Sequence, residues 1–536
     1  MANEEYAPTS QFPLLSLPAE LTLLVVEQVE ARDDLINLSL TCRRLQELAE
    51  PLIWRSLLIL HGTHARRVRQ AVWSRRERMD AIQQLDIFYG DEFDQDDIGL
   101  LDKNNFFCHL RKLRHLTIEG PCPNNHGGWT EGTANFPSYT RINYTQLIVD
   151  SVQSGLQGFS FTRTPDLLSM LQTLTLHGHR NAAEPFTLGG ASAIFLHPTL
   201  RKLTISCSDF DGPWTIDDIE PGTLKTTPLE SLTLIECNIY LSLLEIALRL
   251  PKALRELSLN ERKYVWEGCR PDHSRPRTDS PDFITLLAYQ ASSLQRITHN
   301  SEPLQGGTEI AVGRPLPNAY LNADQIEALS TFTALTDLEI SVTSVLTHLP
   351  RYSTSLTNLR LNDSDATVGF HMTPISLRLH GLYRRIFHTT CETCTASNLP
   401  NIDLVLSLPG RPSIELEEHF CAANPDCLHN RRCVYWLAAV LKARKRRFRI
   451  FVEEFINHSN LRYIPPYMYG EEPPVETCVY NSDDLWTFAN RRTYADDREE
   501  LDPFLKAVCA PGVDNLVRVE KTTNVCILIL RTMTGP

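Results

Sequence analysis

Two hydrophobic patterns divide the chain. In the first sixty residues Leu17, Leu21, Val25 and Val29 recur at steps of four and line one helical face, which Leu24 widens. Asp33 and Asp34 suit the start of a second helix, where carboxylates meet exposed amide groups. Cys42, Leu45, Leu48 and Leu52 recur at steps of three and four and predict a third helix, which Pro51 is expected to end or kink. Three short helices in about forty residues cannot bury all their apolar side chains among themselves. Some of them must face a partner or the rest of the chain.

The second pattern is a recurring phrase: apolar, two residues, apolar, two residues, apolar, one residue, apolar. It appears as Leu110-Leu113-Leu116-Ile118 and Leu168-Leu171-Leu174-Leu176. Shorter copies are Leu200-Leu203-Ile205, Leu229-Leu232-Leu234, Leu254-Leu257-Leu259, Leu294-Ile297, Leu335-Leu338-Ile340 and Leu356-Leu359-Leu361, with Ile82-Leu85-Ile87 earlier and a weak copy at Leu147-Val149. Cys237 stands where an LxLxxC ending would put it. The early spacings, 31, 31, 27, 29, 29 and 25 residues, match or nearly match a leucine-rich repeat period; later ones of 40, 41 and 21 do not. An insert at 261–280, rich in Arg, Pro and Asp, accounts for one long step. An irregular leucine-rich solenoid is expected over 81–362, with a generic α/β domain of short strands as the alternative.

In the solenoid reading each LxL directs two side chains inward, and the residues between them form an exposed strand face. Those residues are His115, Thr117 and Glu119; Thr173, Thr175 and His177; Lys202, Thr204 and Ser206; Ser231 and Thr233; Glu256 and Ser258; Asp337 and Glu339; Asn358 and Arg360. From them His115, Thr117, Thr173, Thr175, Lys202, Thr204, Ser231, Thr233, Glu256 and Ser258 are the candidate protein-binding positions. The set is mostly small and polar, with few aromatic anchors, and it names no ligand.

Beyond Asn362 the phrase fades, and a mixed α/β region is expected over 363–536. Cys391 and Cys394 stand as CxxC, followed by Cys421, Cys427 and Cys433, with His388, His419 and His429 among them. The first pair has zinc-ligand spacing and the later ones do not, so free thiols are the competing reading, and no cofactor or metal is assigned. Residues 433–457 predict one long helix, with Leu437, Val440, Leu441, Phe448, Phe451, Val452 and Phe455 as its stripe. Its cations, Lys442, Arg444, Lys445, Arg446, Arg447 and Arg449, suit a nuclear targeting signal, a phosphate-binding patch or a solvated helix face. A strand-like run at 525–530 is expected to close the region.

At 536 residues, 42% of them apolar and 22% charged, the chain has room for two or three domains. A net charge of −13 disfavours a broad nucleic-acid or anionic-membrane footprint. The N-terminus carries Glu4 and Glu5 and no apolar core, and no apolar run is long enough to span a bilayer. Fourteen scattered cysteines without disulfide spacing suit a reducing interior, so a cytoplasmic or nuclear protein is expected. P-loop, GxGxxG, GxSxG and HExxH motifs are absent, and no catalytic residue is assigned.

The N-terminal pattern carries a resemblance. Leu17-Pro18-Ala19-Glu20-Leu21, the Val25 and Val29 positions, Asp34-Leu35, Leu40-Thr41-Cys42-Arg43-Arg44 and Pro51-Leu52-Ile53-Trp54 follow one another in order. Together they resemble an F-box, assigned to 13–60, with a helical linker at 61–80. The resemblance implies a three-helix unit docking on a Skp-type adaptor and, through it, on cullin and RING subunits of a ubiquitin ligase. It implies adaptor contact by Leu17, Pro18, Leu21, Val25, Val29, Leu35, Leu38 and Cys42. The whole then reads as a non-catalytic receptor that holds a protein substrate near the ubiquitin donor. The alternative is an interaction scaffold using its F-box outside ubiquitination.

Overall fold

The computed structural model describes residues 14–60, 63–88, 106–119, 149–152, 167–177, 186–206, 208–212, 214–261, 275–300, 321–341, 344–363, 400–407, 438, 441–442, 444–454 and 475–483. They form a mixed α/β chain with a helical N-terminus. The chain divides into two compact units: 1–121 with 137–143 and 153–174, and the remainder.

The first unit opens with α1 (Ala19–Glu27), α2 (Arg32–Ser39) and α3 (Arg43–Ile53). Val26, Leu35, Leu45 and Ala49 form their core, and Leu14, Val29, Leu38, Cys42, Leu48, Leu52 and Ile53 pack around it. Asp33 and Asp34 occupy the first turn of α2. Pro51 does not end α3, which continues to Ile53. Having no N–H, it leaves out the bond that residue 51 would donate to Glu47 O, and the helix runs on for two residues despite that loss.

Next come β1 (Ser56–Ile59), α4 (Thr63–Trp73), α5 (Arg76–Ala81), β2 (Gln84–Phe88) and β3 (His115–Glu119). The three strands are parallel and in chain order, with Leu57 beside Leu85 and Leu85 beside Leu116. One carbonyl serves two amides at each strand entry. Arg55 O accepts from Gln83 N (2.9 Å) and Gln84 N (3.0 Å), and Gln83 O from Arg114 N (2.7 Å) and His115 N (3.0 Å). Glu50 on α3 receives Arg75 (2.7 Å) and Arg78 (2.6 Å), and Arg78 also lies 4.9 Å from the Trp54 ring. These contacts fix α5 against the helical unit, so residues of the expected linker are part of the packed structure.

The second unit contains most of β4 (Thr173–His177), then β5 (Phe186–Thr187), β6 (Lys202–Ser206), β7 (Ser208–Phe210), β8 (Ser231–Ile239), α6 (Leu241–Arg249) and β9 (Glu256–Glu261). It goes on through α7 (Asp282–Leu287), β10 (Arg296–Asn300), α8 (Ala323–Ser330), β11 (Asp337–Ser341), α9 (Leu349–Tyr352), β12 (Asn358–Asp363), β13 (Asn401–Ser407), β14 (Phe448–Glu454) and β15 (Val475–Asn481). From β6 and β8 to β14 the main-sheet strands run parallel in chain order, β15 adds antiparallel at the end, and β5 and β7 pair beside β8. Parallel neighbours require crossovers, which between β6 and β12 are supplied by α6 to α9 and short 3-10 turns.

The LxL residues are the core. Leu203, Leu232, Leu257, Ile297, Leu338, Leu359, Ile402 and Phe448 are each no more than 1% exposed and stand in register. Each contributes about 1.5–3 kcal/mol by leaving water. The register passes beyond Asn362, where the leucine phrase ends, because Ile402, Phe448 and Ile450 fill the same inward positions.

Two sequence expectations give way. Val149 belongs to a helical stretch at 149–152, not a strand. The long helix expected over 433–457 is not formed. Residues 441–442 are helical, Arg446 N and Lys445 N then bond to Leu441 O (2.8 Å) and Lys442 O (2.9 Å), and Lys445 adopts φ 58°. That pairing is the Schellman ending of a helix, and β14 starts three residues later. Phe448, Ile450 and Val452 alternate with Arg449, Phe451 and Glu453, a period-two reading that prevails because β13 offers a strand edge. Arg277 and Thr278 are buried and both donate to Glu261, which is itself buried at the end of β9.

Candidate adaptor-docking and substrate-facing surfaces

Helix α1 is apolar on two sides. Thr22 and Val26 face inward, both fully buried, and Thr22 Oγ1 donates to Pro18 O (3.1 Å). Leu21, Leu24 and Val25 face outward, 47%, 54% and 46% exposed. Leu15, Ile36 and Leu40 add further exposed aliphatic groups, Leu40 at 78%. Arg44 holds the entry segment in place by donating to Leu15 O (2.6 Å) and Leu17 O (2.9 Å).

Of the eight expected adaptor contacts, Pro18, Leu21 and Val25 are exposed and Leu17 is half-buried. Val29, Leu38 and Cys42 are half-buried and packed on the helical core. Leu35 is placed inside that core at 6% exposure, so its role is internal packing. Sequence reasoning missed Leu15, Ile36 and Leu40 as surface groups. Ile36 and Leu40 stand four residues apart on the side of α2 away from Leu35, a spacing that was legible.

The expected strand-face residues divide by position. In the first unit His115 is exposed, and Thr117 and Thr173 are half-buried. In the second, Lys202 is exposed, while Thr175, Thr204, Ser231, Thr233, Glu256 and Ser258 are half-buried. Asp337, Glu339 and Arg360 are half-buried, and Asn358 is exposed. The third-position residues Glu119, His177 and Ser206 are instead buried. His177 Nδ1 lies 2.7 Å from Ser206 Oγ, a bond that pairs these two atoms at the strand ends.

The most richly functionalised part of the second unit's strand face lies on β11 to β15. Arg449 donates to both carboxylate oxygens of Asp403 (2.8 and 2.5 Å). That hydrogen bond raises the guanidinium pKa above its ordinary value. Arg360 reaches Glu339 (3.5 Å) and Glu476, and both arginines approach the Phe451 ring, at 5.6 Å for Arg360 and 4.7 Å for Arg449. Sequence reasoning assigned Arg449 and Phe451 to a helix and so missed this cluster.

Among the described residues no group of His, Cys, Asp and Glu is placed to hold a metal ion, and no helix is long and apolar enough to cross a membrane. Cys391, Cys394, Cys421, Cys427 and Cys433, with their neighbouring histidines, lie outside the described residues, as does 525–530.

Residues 14–60 match the F-box-like family. No curated protein matches the chain.

Proposed function

We propose that this chain, with its F-box-like domain at 14–60, is the substrate-receiving subunit of a Skp–cullin–F-box ubiquitin ligase. The observation that carries this reading is the pair of apolar surfaces on one small helical unit. Val26, Leu35, Leu45 and Ala49 already seal its core, yet Leu15, Leu21, Leu24, Val25, Ile36 and Leu40 stay at least 38% exposed. An uncovered aliphatic group of this kind marks a protein interface. A Skp-type adaptor is the partner that F-box domains take, and cullin and RING subunits would follow through it.

The strand face would hold the protein substrate, through Thr204, Thr233 and Ser258 at its centre and the Arg360–Phe451–Arg449 group further along. Parallel strands in chain order, helices α6 to α9 adjacent to one another in the same order, and the repeated two-amide carbonyl at strand entries support a leucine-rich-repeat-like array. The chain then contributes proximity and orientation, not a reacting group.

The test is adaptor capture by the full chain. Leu21→Asp with Val25→Asp places two charges on the open face and is expected to weaken adaptor binding by about 100-fold or more, while thermal melting stays near wild type. Undiminished capture by the folded double variant would remove the basis of the reading. Reconstituted ubiquitination of a captured protein separates ligase work from a scaffold that uses the same adaptor elsewhere.

A further inference from the structure

At the start of β13 and β14 a pocket opens that the strand face does not include. It is lined by Asn401, Lys442, Lys445, Arg446, Arg447 and Asp483, four cations against one carboxylate, in a chain whose net charge is −13. We propose that this pocket binds a compact multivalent oxyanion, a phosphoryl group, either free or carried on a protein.

The backbone builds the site. The helical turn at 441–442 ends in the Schellman pairing at Lys445, which turns the chain and presents Lys442, Lys445, Arg446 and Arg447 around one opening. Cations commonly gather at helix ends to meet free carbonyls. Here that explanation is insufficient, because Leu441 O and Lys442 O already accept backbone amides. Nor do carboxylates account for Lys442, Lys445 and Arg447. Among the described residues Lys442, Lys445 and Arg447 have no ion-pair partner, and Arg447 Nε is shielded from water without any hydrogen-bond partner. A buried guanidinium N–H without an acceptor costs about 1–3 kcal/mol, so the fold leaves the hydrogen-bonding capacity of Arg447 partly unused. Asn401 serves as a wall, since its Oδ1 accepts from Arg447 N (3.1 Å) and its Nδ2 donates to Asn358 (3.1 Å). Two guanidinium and two ammonium groups supply more positive charge than a singly charged carboxylate can use, and suit a doubly charged phosphoryl group.

The experiment is calorimetric titration of the full chain with inorganic phosphate, and with one peptide in phosphoserine and unmodified serine forms, at fixed ionic strength in chloride. Phosphate or the phosphopeptide is expected to bind, and the unmodified peptide not. Tighter binding of the phosphopeptide identifies a protein-borne group; equal binding identifies the free ion. Arg447→Gln is expected to weaken binding about tenfold or more, and Lys442→Gln, at an exposed site, serves should Arg447→Gln fail to fold. Asp483→Asn is expected to strengthen it. Arg444→Gln removes an equal charge outside the pocket and is expected to change it less than about twofold. Absence of binding by both phosphate and the phosphopeptide overturns the proposal. So does equal loss in Arg444→Gln and Arg447→Gln, or much tighter binding of single-stranded RNA with a steep salt dependence. None of these outcomes depends on the adaptor.

Discussion

His299 occupies a position that its neighbours give to aliphatic residues, beside Leu259 on one strand and Ile340 on the next. It is fully buried against Phe283 (4.9 Å between rings), with Nδ1 2.6 Å from Ser344 Oγ and Nε2 3.0 Å from Thr278 Oγ1. Burial pushes the imidazole down to about 3, and His177 down to about 4. Both folded values lie below that of an unfolded histidine, 6.5, so on acidification the unfolded chain takes up protons first. Stability is therefore complete above about pH 6.5 and falls as pH drops toward the folded values, by about 1.4 kcal/mol per pH unit for each histidine. Urea unfolding followed from pH 7 to 5 should show that slope, and His299→Gln should flatten it. Two other residues carry predictions of their own. Leu45→Ala, in the helical core, should cost about 2–5 kcal/mol by chemical denaturation. Glu261→Gln should cost about 3–5 kcal/mol, because it leaves Arg277 buried without its counter-charge.

At the scale of elements, the leucine phrase predicted strands well, and the reason is periodicity. LxL with polar neighbours has a period of two, and residues such as Leu232 and Leu234 can meet only on one face. Where two periods coexist, sequence alone chose wrongly. Residues 433–457 satisfy a helical stripe and, over 448–454, a strand alternation as well. Lys445 decides the matter through its left-handed backbone, a conformation that side chains with a Cβ adopt at a cost. Lys445→Gly should therefore leave stability unchanged or raise it by up to about 1 kcal/mol, whereas Lys445→Val should lower it by about 1–2 kcal/mol. Differential scanning calorimetry of the two variants compares them directly. The LxLxxC ending was legible for the same local reason. Glu236 adopts φ 52°, the register shifts between Ile235 and Cys237, and the fully buried thiol then reaches Ile205 O (3.6 Å).

At the scale of the molecule, the F-box-like segment ends inside a sheet. Residues 56–59 fall within the matched span, yet they pair as β1 with β2, and Glu50 is clasped by Arg75 and Arg78. The helical unit is thus joined by charge-assisted hydrogen bonds to the segment that leads into β2. Deleting residues 1–60 should bare the Leu85 and Ile87 edge of β2 and yield a less soluble, lower-melting protein than deletion of 1–54, which keeps β1. Size-exclusion chromatography and thermal melting of the two truncations make the comparison.

By itself the sequence determined what depends on neighbours along the chain: three amphipathic helices with an ordered F-box signature, the strands of the LxL phrase, and the carboxylates at the start of α2. Only the tertiary structure decided which face of α1 is covered, that Leu35 points inward while Leu40 points out, and that 448–454 is a strand. It also brought Lys442 and Arg447 to one opening with Asn401 and Asp483. The physical reason is that a helical stripe or a cluster of cations fixes a direction along the backbone. Burial and charge pairing are set by groups that arrive from elsewhere in the fold.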